Sequence, residues 1–289
     1  MIPAVFDYIV PRNLKETLAL LAETPNAQLL AGGQELIGRL KTREVTPDIV
    51  IDLRNITELS GITTLPDGKG WMLGARVTYA EIECHRELRD AVPALVEAAS
   101  SVGDAQVRNW ATVGGSLASA RASGDLAAAL MALDATIHLA DVRHTRQVST
   151  DQFFPSEHGS AIEAGTLIVG VSLPALAPQS VSAYEKIKIP SSGYPLCGVA
   201  ALVVRNRTGV VSHCRLAASG IANKPVRLHA AEAMLEGHAP TPARITDAIT
   251  RASEDLECLT DLFASGEYRA SLLGTLAERA LTRAIERSA

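Results

Sequence analysis

Two glycine pairs carry the chemistry most directly legible in this chain. Gly32-Gly33 stands in "LLAGGQELIG" and Gly114-Gly115 in "ATVGGSLASA", each after an apolar run of β type. Glycine tolerates positive φ, so successive backbone N–H groups can turn toward one point, and without a Cβ the backbone can approach a ligand closely. Two such loops facing each other make a concave, mostly uncharged cradle for a phosphate or diphosphate, with Gln34 and Ser116 as donors at its rim. The same residues also read as two tight turns. Neither loop is a dinucleotide fingerprint, because "AGGQEL" lacks the third glycine of G-x-G-x-x-G. Neither is a P-loop, since no Gly-Lys-Ser/Thr follows.

The other candidate groups are fewer. Asp125 opens a helical stretch, "SGDLAAALMALD", with Ser123 placed to cap it. Its carboxylate either complements the helix dipole or accepts hydrogen bonds from ligand hydroxyls or a ring N–H. Tyr194, in the Gly/Pro/Ser turn "PSSGYPLCG", is either a surface aromatic or a lid over a flat ring. Arg121 lies between the second glycine pair and Asp125, where a peripheral place is expected. Cys84, Cys197, Cys214 and Cys258 form no C-x-x-C pair and no metal spacing with a histidine, so they read as free thiols. The seven histidines are scattered, and no nucleophile elbow appears.

The elements that must position these groups alternate. "NLKETLALLAE" is an amphipathic helix with Asn13 as N-cap and Glu16 completing a capping box, and "TYAEIECHREL" opens with a second Thr-x-x-Glu box. "AQLLAGG", "PDIVIDL", "WMLGARV", "ATIHLADV" and "GTLIVGVSLP" read as strands, and "DAVPALVEAASSV" as a helix. The three prolines of "SLPALAPQSVSA" mark a boundary. Beyond it come the strands "VSAYEKIKI", "CGVAALVVRN" and "VVSHCRLAASG", then three helical segments. Mixed elements in this order argue α+β.

The chain is 289 residues long, enough for two domains, and its net charge of −5 with no dense basic run speaks against nucleic acid. The N-terminus lacks the basic and apolar regions of a secretory signal. No window approaches the ~20 apolar residues of a membrane span, so the cytoplasm is the expected compartment.

These motifs together resemble the FAD-binding medium subunit of the molybdenum hydroxylases, the group that includes bacterial carbon monoxide dehydrogenase and xanthine dehydrogenase. "LLAGGQELIGRLK" looks like the family's first flavin loop and "QVRNWATVGGSLASARASGDLAAALMALDA" like its second. "AYEKIK", "AASGIANKPVRLHAAEAMLEG" and "YRASLLGTLAERAL" resemble stretches of its C-terminal domain, so the likeness runs nearly end to end.

The resemblance implies a two-lobed FAD-binding domain of the vanillyl-alcohol-oxidase type over residues 1–176. A C-terminal domain follows over 177–289, in which a three-stranded antiparallel sheet with three helices covers the flavin. Carried over by position, Leu29, Leu30, Ala31, Gly32, Gly33, Gln34, Glu35 and Leu36 line the adenine-diphosphate side. Thr112, Val113, Gly114, Gly115 and Ser116 supply the second loop. Asp125 hydrogen-bonds FAD, Ile168 packs on it, Lys186 lies near it, and Val102 is a further contact. No catalytic residue or metal ligand is implied here.

The resemblance further implies that FAD is held noncovalently, with molybdenum-pterin on a large partner subunit and two [2Fe–2S] clusters on a small one, in a dimer of heterotrimers. It also implies that electrons pass from the clusters to this FAD and on to an external acceptor. The chain departs from the family where Ala120-Arg121-Ala122 replaces Ala-Asp-Pro, at Gly170, and in the arginine-free "IPSSGYP". These changes bear on the flavin edge and the choice of acceptor. The alternatives are a stand-alone flavoprotein oxidase or dehydrogenase and a flavin-free scaffold subunit.

Overall fold

The chain begins with β1 (Asp7–Ile9), α1 (Leu14–Glu23), β2 (Ala27–Leu30), α2 (Leu36–Thr42) and β3 (Ile49–Asp52). In the computed structural model, which describes residues 2–119, 124–154, 162–254 and 256–287, these strands lie parallel in the order β1-β3-β2. α1 starts at the expected cap: the Asn13 side chain accepts from the Glu16 N–H at 2.9 Å. The return bond of the box falls one residue early, with Glu16 accepting from the Arg12 N–H at 2.8 Å. Ligands of parallel sheets gather beyond the carboxyl ends of the strands, and residues 31–35 leave β2 at that end.

A second lobe follows, containing β4 (Ile62–Thr64), β5 (Gly70–Gly74), α3 (Tyr79–Cys84), α4 (Arg86–Ala91), α5 (Pro93–Ser100), α6 (Ala105–Trp110), α7 (Val113–Ser119) and α8 (Asp125–Ala132). It continues with β6 (Thr136–Ala140), β7 (Thr145–Ser149), α9 (Thr150–Phe153) and β8 (Leu167–Pro174). Its strands form an antiparallel sheet in the order β4-β5-β8-β6-β7. The Thr-x-x-Glu box is complete at the start of α3: Glu81 takes the Thr78 N–H at 2.7 Å, and Thr78 Oγ1 takes the Glu81 N–H at 3.2 Å.

The approach to the second glycine pair is not a strand. Residues 105–110 are helical, begun by Asp104, whose carboxylate caps the Val107 N–H at 2.8 Å. Thr112 makes a single bridge to Thr78, and α7 starts at once, so both glycines lie in its first turn. The local cap outweighs the β preference of Thr112 and Val113. Arg121 and Ser123 lie outside the described residues; α8 begins at Asp125 with Gly124 in the N-cap position.

The remainder comprises β9 (Ser180–Lys188), β10 (Pro195–Arg205), β11 (Val211–Ser219), β12 (Val226–Arg227), α10 (His229–Leu235), α11 (Pro242–Glu254) and α12 (Gly266–Glu286). The antiparallel sheet has the order β12-β11-β10-β9. It therefore contains a fourth strand beyond the three expected, a two-residue pairing of Val226 and Arg227 with Ala218 and Ala217. Such a short pairing carries no alternating pattern to read.

Side chains of β10 alternate between two cores. Cys197, Val199, Ala201 and Val203 join the residues of α10, α11 and α12, while Ala200 and Leu202 join the core of the second lobe. α8 packs against both α5 and strands β10 and β11, and each of its eight residues is buried. Among the described residues no helix is long and apolar enough to cross a membrane, and no group of three His, Cys, Asp or Glu could hold a metal ion.

Candidate functional site

The two glycine-bearing segments meet. A Cβ built on Gly32 would fall on the carbonyl oxygen of Trp110, so only glycine lets residues 31–35 lie against the end of α6. Gly33 adopts φ +72°, in the left-handed region that glycine favours. No backbone carbonyl of the described residues accepts a hydrogen bond from the N–H of Gly32, Gly33 or Gln34. Half-buried N–H groups normally find a partner, so those of Gly32 and Gly33 are available to one, while that of Gln34 lies on an exposed residue at the rim.

The second segment differs. Its N–H groups are engaged within the protein: Val113 to Val77 O at 2.9 Å, Gly114 to Ala75 O at 2.8 Å, Gly115 to Thr112 Oγ1 at 3.2 Å, and Ser116 to Thr112 O at 2.9 Å. The two glycines also divide their roles. A Cβ on Gly114 would come 2.8 Å from the Ala75 Cβ, so Gly114 serves packing. Among the described residues a Cβ on Gly115 would meet only Thr112 Oγ1, at 2.9 Å.

Gly115 lines a cleft of about 410 Å³, within the ~300–1,000 Å³ typical of ligand sites. Of the residues expected at a site, Leu29, Ala31, Gly32, Gly33, Gln34, Glu35, Leu36, Val102, Thr112, Gly115, Ser116 and Asp125 line it. Leu30, Val113, Gly114, Ile168 and Lys186 do not. Leu30 packs with Leu36, Leu40 and Val50. Val113 and Ile168 are core residues of the second lobe, and Ile168 lies opposite Leu139 in the sheet.

Lys186 sits behind the wall, its Nζ 2.8 Å from Asp125 Oδ1 and 3.3 Å from the Ser101 carbonyl. Asp125 is 4% exposed and Lys186 has a buried side chain. Tyr184 donates its hydroxyl to the same Oδ1 at 2.7 Å and Ser101 donates at 3.3 Å. Burial pushes the Asp125 carboxyl above its ordinary range, against the opposing pull of Lys186 and these hydrogen bonds.

Several wall residues are invisible to motif reading. Tyr79, the first residue of α3, is buried; burial raises its phenol while a hydrogen bond with Ser116 pulls the other way. Arg39 reaches the cleft from α2, with its Nε held by Glu44 Oε1 at 2.8 Å. The β9–β10 connection closes one end. Tyr194 lines the cleft at 40% exposure, beside Ser192 and Gly193. Gly193 (φ +75°) lies so close to Gly103 (φ +40°) that an added Cβ would be 3.1 Å from the Gly103 Cα. A lone glycine in a loop gives no signal of such a cross-chain approach.

The family described as "FAD binding domain in molybdopterin dehydrogenase" matches residues 4–176, and "CO dehydrogenase flavoprotein C-terminal domain" matches residues 182–284. The carbon monoxide dehydrogenase medium chain of Hydrogenophaga pseudoflava is 32% identical over 290 residues, spanning 100% of both chains. The 6-hydroxypseudooxynicotine dehydrogenase complex subunit alpha of Paenarthrobacter nicotinovorans is 30% identical, over 100% of this chain and 97% of its own. A solved structure of carbon monoxide dehydrogenase from Hydrogenophaga pseudoflava superposes with a TM-score of 0.95 at 33% identity, over 100% of each chain. Quinoline 2-oxidoreductase from Pseudomonas putida 86 gives a TM-score of 0.92 at 28% identity, over 100% of this chain and 99% of its own.

Proposed function

Because the chain belongs to the family of FAD-binding medium subunits of the molybdenum hydroxylases, we propose that it is the electron-transfer subunit of such an enzyme. It would pass electrons from [2Fe–2S] clusters on a small partner subunit to an external acceptor, while a large molybdopterin subunit carries out the oxidation. The FAD would be noncovalent, in a two-lobed domain of the vanillyl-alcohol-oxidase type with the C-terminal domain covering the flavin. The assembly would be a dimer of heterotrimers. That the chain is an oxidoreductase component follows from its family.

The observation that carries the reading is that Gly32, Gly33 and Gln34, whose N–H groups have no backbone acceptor among the described residues, line one cleft with Gly115. Such a run of donors suits a diphosphate, whose oxygens accept from backbone N–H without needing a countercharge at each atom. Thr112 and Ser116 add hydroxyls on the opposite side. Asp125 is placed to accept from a ribityl hydroxyl or a ring N–H, and Tyr194 with Ser192 borders the end nearest the C-terminal sheet. Bound FAD supplies the two-electron to one-electron exchange; the chain's residues supply binding, orientation and exclusion of water.

The test is to purify the chain alone and with its partner subunits and to measure flavin, iron and molybdenum. FAD on the chain alone, with iron and molybdenum gained only in the complex, supports the reading. A complex without flavin sinks it.

A further inference from the structure

Strand β9 pairs with β10 so that Tyr184 lies opposite Ala200 and Lys186 opposite Gly198. On the face turned toward α8 the neighbouring positions are small: Ala200, Ala217 and Gly198. A Cβ on Gly198 would fall on the Tyr184 hydroxyl and lie 2.9 Å from its Cζ. The tyrosine therefore occupies the space that glycine leaves, and through it the hydroxyl reaches Asp125 Oδ1 at 2.7 Å. Lys186 and Ser101 point to that same oxygen, and Oδ2 is the oxygen these three groups leave unengaged.

The strand itself is anchored. The Tyr184 N–H donates to Glu97 Oε2 at 2.8 Å, and Arg283 of α12 pairs with Glu97 at 2.5 Å and with Glu185 at 2.7 Å.

We propose that Tyr184 is a positioning residue for Asp125, made possible by Gly198, through which the C-terminal domain fixes the carboxylate that faces the cleft. A carboxylate with one oxygen held by three donors cannot exchange its two oxygens by rotation, so Oδ2 is presented to the cleft in one orientation. Docking of the C-terminal sheet then sets the affinity for the ligand. The inference rests on the FAD reading of the cleft. Phenylalanine at 184 would keep the packing and lose only the donor, and alanine at 198 would push the hydroxyl aside from below.

The experiment uses the full chain and its Y184F, G198A and Y184F/G198A variants. FAD dissociation is read by flavin fluorescence from about pH 5 to about pH 9, and the stability of the FAD-free chain by urea unfolding. Each single variant is expected to weaken FAD by about tenfold, the factor that roughly 1.4 kcal/mol carries, and the double variant by no more than either.

The pH readout separates positioning from packing. Among the described residues, Asp125 faces the titratable groups Lys186 and Tyr184 on β9 and Tyr79 on α3, besides the Ser101 hydroxyl. Loss of the tyrosine donor disfavours the carboxylate, so FAD binding should begin to fail at a higher pH on acidification. Additive losses, or weakened binding with an unmoved pH limb, would assign Tyr184 to packing and overturn the proposal. If G198A does not fold, Y184F carries the pH test alone. Wild-type chain that binds no FAD overturns the reading of the cleft and this inference with it. Wild-type chain that binds FAD while Y184F is unchanged overturns this inference only.

Discussion

Three glycine-to-alanine changes should separate the glycines that build the cleft from the one that faces its ligand. At Gly32 the new methyl would overlap the Trp110 carbonyl oxygen, a backbone atom that cannot swing away. At Gly114 it would lie 2.8 Å from the Ala75 Cβ and 2.9 Å from the Ala75 carbonyl oxygen. Overpacking of this kind costs about 1–3 kcal/mol, and Gly32→Ala should stand at the upper end or beyond. Among the described residues Gly115→Ala meets only the Thr112 hydroxyl, at 2.9 Å. Its position in α7 favours alanine over glycine by roughly 0.5–1 kcal/mol, which offsets the adjustment of that hydroxyl. The FAD-free G115A chain should therefore unfold in urea within about 0.5 kcal/mol of wild type, the range of a neutral substitution. Its methyl nevertheless enters the open space of the cleft, and FAD affinity should fall at least about tenfold, or roughly 1.4 kcal/mol. G115V should abolish retention. The assay pairs urea unfolding of the FAD-free protein with fluorimetric titration of FAD. If G115A binds FAD as tightly as wild type, Gly115 does not lie against the ligand. If G32A is as stable as wild type, the two segments are not in the close contact described.

Other perturbations have equally definite signs. Asp125→Ala leaves the buried Lys186 ammonium without its carboxylate and should cost about 3–5 kcal/mol in urea unfolding. Lys186→Met should cost less, because Asp125 keeps two hydroxyl donors and can take up a proton; equal losses would contradict this asymmetry. The buried Asp52 is pushed up by burial, but hydrogen bonds from Arg54 and Tyr8 outweigh that and hold its carboxyl below the ordinary value of 3.8. Its stabilisation is present above that value and is lost as pH falls through the lower folded one. The urea-midpoint advantage of wild type over D52N should thus be constant near neutrality and shrink below about pH 4; an advantage that does not change on acidification would refute it.

Much of the frame is local and so was legible. Asn13 and Thr78 cap the helices they precede, and the strand candidates around Tyr184, Val199 and Cys214 all pair as one antiparallel sheet. The string "QVRNWATV" misleads because its β-branched residues outvote Asp104 in a pattern, whereas one side-chain cap starts a helix in the fold. Equivalence of the two glycine pairs is the deeper error of a linear reading. Whether a glycine N–H is free depends on acceptors elsewhere, here Ala75 O and Thr112 Oγ1 for Gly114 and Gly115, and no backbone carbonyl among the described residues for Gly32 and Gly33. Tyr184 was hidden for a similar reason: its partner is 59 positions away, and the glycine that makes room for it resembles any other strand glycine.

The placement of α8 explains why a site can depend on both halves of the chain. A helix buried along its whole length packs against elements from both halves of the chain, and its first residue is Asp125. On one flank lies α5, whose end supplies Ser101; on the other lies the sheet whose edge strand supplies Tyr184 and Lys186. The carboxylate is thereby held by groups from both domains while it faces the cleft. Loosening the C-terminal sheet would leave the glycine-lined part of the cleft intact, since Gly32, Gly115 and their contacts all belong to the first two lobes. It would remove the Tyr184 and Lys186 contacts to Asp125, leaving that of Ser101, and the wall at Tyr194. The diphosphate end and the Asp125 end of the cleft should therefore respond separately to damage in the C-terminal domain, and only the second should be lost with it.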